Sequence, residues 1–180
     1  MSLIDVYVAS SWRNKYQQEV VRFLRARALG VYDFQNPRDG DKGFAWSEID
    51  PAWQSWDGRK FRGALQHPLA VKGFQSDFEA MKKCAVCVLV LPSGRSAHLE
   101  AGWFVGARRP VIVLQLERCE PELMYSMCSG IAVTFDELEQ MVFAALRSAR
   151  PDCGCERCAS KDRAKRMRPG RPSNPSSSSP

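Results

Sequence analysis

The chain has 180 residues, 44% of them hydrophobic, which suits one folded domain with an extension. Of its formal net charge of +6, about +4 lies beyond residue 150, so the rest is close to neutral, which argues against a broad nucleic-acid-binding face. No apolar run approaches the ~18 residues of a membrane span and no signal peptide follows Met1, so we expect a cytoplasmic protein without membrane contact.

The first predicted elements form a β-α-β unit. An apolar strand from Ile4 to Ala9 leads into a polar loop, and a helix over residues 15–29 carries one apolar stripe and is closed by Gly30. A short second strand follows from Val31 to Phe34. Arg13 in the first loop could bind a phosphate, or could simply cap and solvate the start of the helix.

The segment 35–56 contains three tryptophans among Asp, Pro and Gly and has no regular period. Long irregular loops in compact domains are usually functional or disordered, and the aromatic content argues against disorder. In one interpretation the segment is a lid in which Phe44 or a tryptophan stacks on a ligand. In the other, the rings form a small satellite core. Asp50 and Asp57 could also face a ligand.

The central part of the chain contains its most apolar strand. Helices are predicted at 61–66 and 69–83, separated at His67-Pro68 because a residue before proline disfavours the α region. The run from Ala85 to Leu91 is typical of a parallel strand buried on both faces. A polar loop follows, and a helix from about Ala97 places Glu100 in its first turn.

This strand-loop-helix junction is a candidate anion-binding site. A loop before a helix points backbone N–H groups and the positive end of the dipole above the sheet. Ser93, Arg95 and Ser96 add further donors, which suits a phosphorylated sugar beside the Glu100 carboxylate. An acidic residue in a first helical turn is also common for structural reasons alone, because it favours the dipole.

The remaining elements complete an α/β fold. We predict a strand at Val111–Leu116, a short helix at 121–128, a strand at Ile131–Thr134 and a final amphipathic helix at 136–149. Five strands alternating with helices favour a doubly wound, five-stranded parallel sheet with the flavodoxin-like order 2-1-3-4-5 over residues 1–150. In this order strands one and three are neighbours, so the loops that follow them should converge.

Residues 151–180 differ in composition, since they are basic and rich in Ser and Pro, and we expect disorder there. Cys153, Cys155 and Cys158 supply three soft zinc ligands but no clear fourth. The sequence RMRPGRP resembles part of a minor-groove-binding hook, so the tail either makes weak nucleic-acid contacts or only solubilises the chain. An odd total of seven cysteines indicates reduced thiols.

The stretch SDFEAMKKCAVCVLVLPSGRSAHLEAGW, together with the opening VYVASSWRN, resembles the nucleoside 2-deoxyribosyltransferase-like family, which includes nucleotide N-glycoside hydrolases. The resemblance covers roughly residues 4–145. It implies that Glu100 is the nucleophile at the anomeric carbon, that Asp77 is a second catalytic residue, and that Ser93 binds phosphate. Arg95 and His98 depart from the well-known transferases, which leaves the substrate and acceptor open.

The resemblance implies cleavage or transfer of an N-glycosidic bond in a nucleotide or nucleoside, with no cofactor and no metal. Glu100 would attack C1′ and Asp77, or less favourably His98, would protonate the leaving base. Relatives often complete the pocket across a subunit interface, so a homo-oligomer, such as a dimer, is expected. The residues expected to bind substrate are Ser10, Trp12, Arg13, Asn36, Trp46, Ser93, Gly94, Arg95, Ser96 and His98.

Three rival functions fit the same sequence. A Toll/interleukin-receptor-like NAD hydrolase has a similar outline and would release nicotinamide. A non-catalytic nucleotide sensor would bind without turnover. A nucleic-acid-binding module acting through the basic tail would lose its affinity steeply with salt.

Overall fold

The computed structural model describes residues 5–38 and 40–149, so the three cysteines and the basic motif of the predicted tail lie outside it. Five strands are present: β1 (Val6–Ala9), β2 (Val31–Asp33), β3 (Val86–Val90), β4 (Val111–Leu114) and β5 (Gly130–Ala132). Five α-helices flank them: α1 (Gln17–Arg25), α2 (Gly58–Ala64), α3 (Pro68–Lys83), α4 (Arg95–Gly106) and α5 (Phe135–Ala149). Short 3₁₀ helices cover Trp46–Glu48, Trp53–Ser55 and Leu123–Met127.

The sheet is entirely parallel and has the order β2-β1-β3-β4-β5, which confirms the predicted fold. Strand β1 lies between β2 and β3, with Tyr7 opposite both Tyr32 and Cys87. All five residues of β3 are buried, as the continuous apolar run predicts for a central strand. The loops that follow β1 and β3 therefore leave the sheet side by side.

Alternate residues of each strand face two separate hydrophobic layers, because successive side chains of a strand point to opposite faces. Val6, Val8 and Val88 pack with the buried residues of α1 and α5. Tyr7 and Leu89 belong to the other layer, which is built with α3 and α4. This alternation turns the Tyr7 ring toward the two helices that carry Asp77 and Glu100.

The ends of two helices test the sequence-based boundaries. The predicted break at His67-Pro68 is present, since His67 is extended (ψ 137°), and α3 begins at Pro68, one residue before its predicted start. The predicted end of the first helix at Gly30 is wrong: α1 ends at Arg25, and the chain reverses through Ala28, whose φ is +59°. A left-handed residue commonly ends a helix, and alanine adopts that conformation here without a glycine.

The cysteines of the described region are all free: Cys84 and Cys87 are buried, and Cys119 and Cys128 are partly buried. No helix in this region combines the length and the hydropathy needed to span a membrane.

Candidate active site

The loops after β1 and β3 are joined by one buried amide. Asn14 donates from Nδ2 to the carbonyl oxygens of Val90 (3.0 Å) and Pro92 (2.9 Å). Its Oδ1 accepts the backbone N–H of Tyr16 at 2.7 Å, which anchors the start of the α1 region. The predicted convergence of the two polar loops is present, and Asn14, which the sequence analysis did not single out, holds it.

Helix α4 starts at Arg95 with Gly94 as its N-cap, two residues earlier than predicted. Glu100 therefore lies in the second turn of the helix rather than the first. No side chain caps the helix, so its first N–H groups are left for solvent or a ligand. Because the dipole effect falls off within the first turn, it contributes little at Glu100.

Burial dominates the ionisation of Glu100. It raises the pKa of the carboxyl to about 7, and the nearby negative charge of Asp77 adds to the increase. Burial, rather than the helix start, therefore decides how readily this carboxyl ionises. A carboxyl with a pKa near 7 exchanges a proton readily at neutral pH, as general acid-base sites require.

Tyr7 is a polar neighbour of Glu100 on the sheet. Its hydroxyl is fully buried and makes no hydrogen bond of standard geometry within the described residues. It nevertheless lies close enough for hydrogen bonding to lower the pKa of Glu100. A small rotation of either side chain would complete the bond and favour the ionised carboxylate.

Asp77 is held by a second tyrosine. The Tyr32 hydroxyl donates to Oδ1 of Asp77 at 2.8 Å, and it lies 3.2 Å from the Ser76 hydroxyl. Since Tyr32 has a single proton, Ser76 must donate to Tyr32 in this arrangement. Burial raises the pKa of Asp77 to about 6, against the lowering effect of the Tyr32 bond. The site thus contains two interacting carboxyl groups with raised pKa values.

The two tyrosines stack on each other, with ring centroids 5.3 Å apart and planes 14° apart. Sequence reasoning missed both because each lies within an apolar run and reads as core. Two features of the sequence could have identified them. A buried tyrosine normally needs a hydrogen-bond partner for its hydroxyl, and Tyr7 and Tyr32 each occupy the second position of their strand. Neighbouring parallel strands in that register bring the two rings together.

The loop from Ser93 to Ser96 is accessible, with Gly94, Arg95 and Ser96 exposed. His98 points away from Glu100, as expected for two residues separated by about 200° around a helix. Its Nε2 lies 2.9 Å from the Tyr125 hydroxyl, and its Nδ1 lies 2.8 Å from the Gly94 oxygen and 3.5 Å from Ser93 Oγ. This geometry makes His98 a poor candidate for protonating a base near Glu100.

The three predicted binding residues in the loop after β1 differ in how exposed their side chains are. Ser10 is nearly buried, and its hydroxyl donates to the Ser11 oxygen at 3.3 Å. Trp12 is half exposed and packs edge-on against Phe34, with ring centroids 5.4 Å apart. The Arg13 side chain is exposed. Trp12 and Arg13 are therefore accessible to a ligand, whereas Ser10 faces the interior.

Asn36 is already engaged in a local network. Its Nδ2 donates to the buried Asp33 carboxylate at 3.0 Å, which also accepts from Gln17, Gln18 and the Gln35 backbone. These bonds lower the pKa of Asp33, although its burial acts in the opposite direction. The structure does not bring Asn36 to Glu100; it lines a cleft beside Arg25 instead.

The aromatic residues of the 35–56 segment pack mainly on one another. Trp46 lies edge-on to the rings of Phe44, Trp56 and Phe61 at centroid distances of 4.9–5.7 Å. Trp46 is thus placed in a ring cluster, as in the satellite-core interpretation, and it is not brought to Glu100.

The two acidic residues considered for ligand contact have structural partners. Asp50 accepts from Trp56 Nε1 and Lys60 Nζ, both at 2.7 Å, and its pKa is lowered to about 2, first of all by Lys60. Asp57 caps α2 by accepting the Lys60 backbone N–H. Both carboxylates are occupied in holding the segment against α2.

A cleft of about 760 Å³ opens between the segment 37–44 and one face of α3, and it reaches Asp77 and Ser76 at its inner end. Glu100 does not line this cleft; its carboxyl is partly buried beside Tyr7 and Asp77. Phe44 forms part of the cleft wall and packs directly on Gly73 of α3.

Gly73→Ala is expected to destabilise the protein by about 1 kcal/mol or more, although alanine normally stabilises a helix interior. A Cβ at Gly73 would lie 2.7 Å from the Phe44 Cβ, so the cleft wall would have to move. Gly63→Ala in α2 is the matched control, since a Cβ there meets nothing within 4 Å, and we expect it to stabilise. Urea unfolding of both variants measures the difference; a stabilising Gly73→Ala would contradict this packing.

Within the described residues, no group of three or more His, Cys, Asp or Glu side chains is arranged to hold a metal ion. The two carboxyls, Glu100 and Asp77, offer acid-base and nucleophilic chemistry beside a polar loop and a cleft.

Comparison with protein-family models and with curated proteins finds no match for the sequence. Among solved structures, a 2-deoxyribosyltransferase from the psychrotolerant bacterium Bacillus psychrosaccharolyticus is similar, with 17% identity and a TM-score of 0.52 over 79% of this chain and 95% of the transferase. The CMP N-glycosidase BcmB of Clostridium botulinum aligns with 15% identity and a TM-score of 0.43 over 77% and 98% of the two chains. The similarity to the transferase shows that this chain shares its fold.

Proposed function

We propose that the chain cleaves, or transfers across, the N-glycosidic bond of a nucleotide or nucleoside, with Glu100 as the nucleophile. The observation that carries this proposal is the pair of partly buried carboxyls, Glu100 and Asp77, each beside a tyrosine at the sheet. Most glycosidases use a pair of carboxyl groups for catalysis, and a raised pKa lets one of them act as the general acid. The fold shared with a 2-deoxyribosyltransferase makes nucleosides and nucleotides the first substrates to test.

In the first step, a carboxylate oxygen of Glu100 forms a bond to C1′ while the bond from C1′ to the base nitrogen breaks. Asp77 gives its proton to the departing base, so the base leaves neutral. In the second step, water or a second base attacks C1′, and Asp77 takes up the proton. The Glu100 carboxylate is then released and the cycle closes.

The active protonation state carries one proton on the pair. Glu100 must be ionised to attack, and Asp77 must be protonated to assist the leaving base. Because the two groups interact, their pKa values of about 7 and about 6 describe the pair as a whole. The singly protonated pair is most populated between these values. Its proton lies mainly on Glu100, whose pKa is the higher, so the active form, with the charge on Glu100 and the proton on Asp77, is the less populated arrangement of that proton.

The loop from Ser93 to Ser96 would hold a 5′-phosphate, or a hydroxyl of a nucleoside. The uncapped start of α4 offers backbone N–H groups, and Arg95 with the hydroxyl of Ser96 is exposed beside it. Arg13 is exposed on the adjacent loop after β1, which Asn14 holds against the β3 loop. Trp12 lies on the same loop and is available to cover a sugar or base.

The test is incubation of the full chain with nucleoside monophosphates, deoxynucleosides and NAD, with and without a free-base acceptor, followed by chromatography. We expect free base from one class of substrate and, with an acceptor, a new nucleoside if transfer occurs. Glu100→Ala should reduce the rate by on the order of 10³-fold or more. Glu79→Ala, on the exposed side of α3, is the control and should retain the rate.

The panel also separates the rival functions. Nicotinamide release from NAD would assign a NAD hydrolase. Nucleotide binding without any product, retained in Glu100→Gln, would assign a sensor. Product formation unaffected by Glu100→Ala would contradict the proposed nucleophile.

A further inference from the structure

The cleft beside Asp77 is longer than a nucleobase requires. Its α3 wall runs from Leu69 through Lys72 and Gly73 to Asp77, and these residues share one helix face. Eight residues of helix correspond to about 12 Å. A base bound next to Asp77 would therefore fill only the inner end and leave the outer part open.

The walls of the cleft carry cations that have no ion-pair partner among the described residues. Arg38 and Lys42 line one wall and Lys72 lines the other. Within the described part of the chain, none of the three takes part in a salt bridge. All three are exposed, so their positive charges are available to a ligand.

The acidic residues of the same cleft are engaged by their own loop. Oδ1 of Asp41 accepts the Gly43 backbone N–H at 3.0 Å, and Oε1 of Glu48 accepts the Ala45 N–H at 2.9 Å. Each bond satisfies one oxygen and fixes the carboxylate in a turn. The cleft is thus lined by both signs of charge: two carboxylates fixed in turns, and three cations that form no salt bridge within the described residues.

Two charged residues of the cleft, Arg38 and Asp41, lie near Asp77 and its partner Tyr32. Arg38 is close enough to Tyr32 to lower the pKa of its hydroxyl, and Asp41 is close enough to Asp77 to raise the pKa of its carboxyl. A ligand extending from Asp77 into the cleft would therefore pass close to Arg38 and Asp41.

We propose that the cleft binds an anionic substituent carried on the base side of the scissile bond, so that the preferred substrate is a nucleotide whose base bears a carboxylate or similar acidic group. The inference rests on the proposed function, since it takes Asp77 as the position of the base. The substrate would then carry two negative groups, a 5′-phosphate at the Ser93–Ser96 loop and an acidic substituent near Lys72.

The test measures binding without turnover, by calorimetry on the full-length Glu100→Gln protein. The four probes are thymidine, thymidine 5′-monophosphate, 5-carboxy-2′-deoxyuridine and its 5′-monophosphate. We expect the 5-carboxylate to improve affinity about five- to tenfold over the 5-methyl group, with or without the phosphate. Lys72→Gln should remove most of this ratio, whereas Lys83→Gln, exposed on α3 outside the cleft, should retain it.

Three outcomes would overturn the inference. Equal affinity for the carboxylated and methylated probes, or failure to bind either, would show that the cleft recognises no acidic base. A Lys72→Gln protein that loses the preference for 5′-phosphate instead would place the phosphate in the cleft. Because the readout is affinity, a failed inference is distinguishable from a failed proposed function, which is tested by base release.

Discussion

Glu100→Gln is expected to abolish base release and, in the same protein, to increase the free energy of unfolding at pH 8. The loss of activity follows because an amide oxygen is a poor nucleophile and cannot leave as a stable carboxylate; we expect a decrease on the order of 10³-fold or more. The gain in stability follows because glutamine removes the cost of a charge in a partly buried position.

The sign of the pH dependence follows from the raised pKa of Glu100, from 4.5 to about 7. Between these values the folded state binds more protons than the unfolded state, so wild-type stability falls as pH rises from 4.5 through 7. Glutamine does not titrate. The variant should therefore match the wild type near pH 4.5 and exceed it by on the order of 1–3 kcal/mol above pH 7.

Urea unfolding at pH 5, 6, 7 and 8 measures this difference. Glu79→Gln is the matched control, because Glu79 is exposed on α3 and Lys82 lowers its pKa. It should leave stability nearly unchanged, with no gain above pH 5. A Glu100→Gln difference that stays constant across the pH range would show that burial of this carboxyl costs the fold nothing.

The sheet could be predicted because its main strands are continuous apolar runs, a pattern typical of buried parallel strands. The run that becomes β3 is buried along its whole length, and Pro92 and Gly94 separate it from the helix that follows. Five such strands alternating with helices leave few arrangements, and the observed order is the predicted one. Strand ends differed from the prediction by at most two residues, because hydrogen-bond pairing, rather than composition, ends a strand.

The surroundings of Glu100 could be predicted only in part. Its position after the central strand follows from the pattern, but the helix start does not, since Arg95 and Ser96 read equally well as loop and as first turn. Starting the helix at Arg95 moves Glu100 away from the dipole, and burial then decides its pKa. Tyr7 and Tyr32 act on the two carboxyls only through the register of β1 and β2, which composition does not encode.

Asp77→Asn is expected to convert a bell-shaped pH profile of kcat/KM into a profile with a single rising limb. In the wild type, activity needs one proton on the pair, so the rate should be highest between about pH 6 and 7. The variant has no acid to lose, so the alkaline limb should vanish. Its rising limb should follow the ionisation of Glu100 alone, with a pKa below 7 because the Asp77 charge that raises it is absent.

The same variant should discriminate between leaving groups. A purine that leaves as an anion needs a proton, so Asp77→Asn should lose about 10²–10⁴-fold in rate on a purine nucleotide. The N7-methylated nucleotide already carries a positive charge on the base and departs neutral, so its rate should fall less than about tenfold. Rates for both substrates, measured with wild type, Asp77→Asn and the exposed control Glu79→Gln, give this comparison. Equal losses on the two substrates, or an alkaline limb that persists in Asp77→Asn, would mean that Asp77 positions the substrate and that another group delivers the proton.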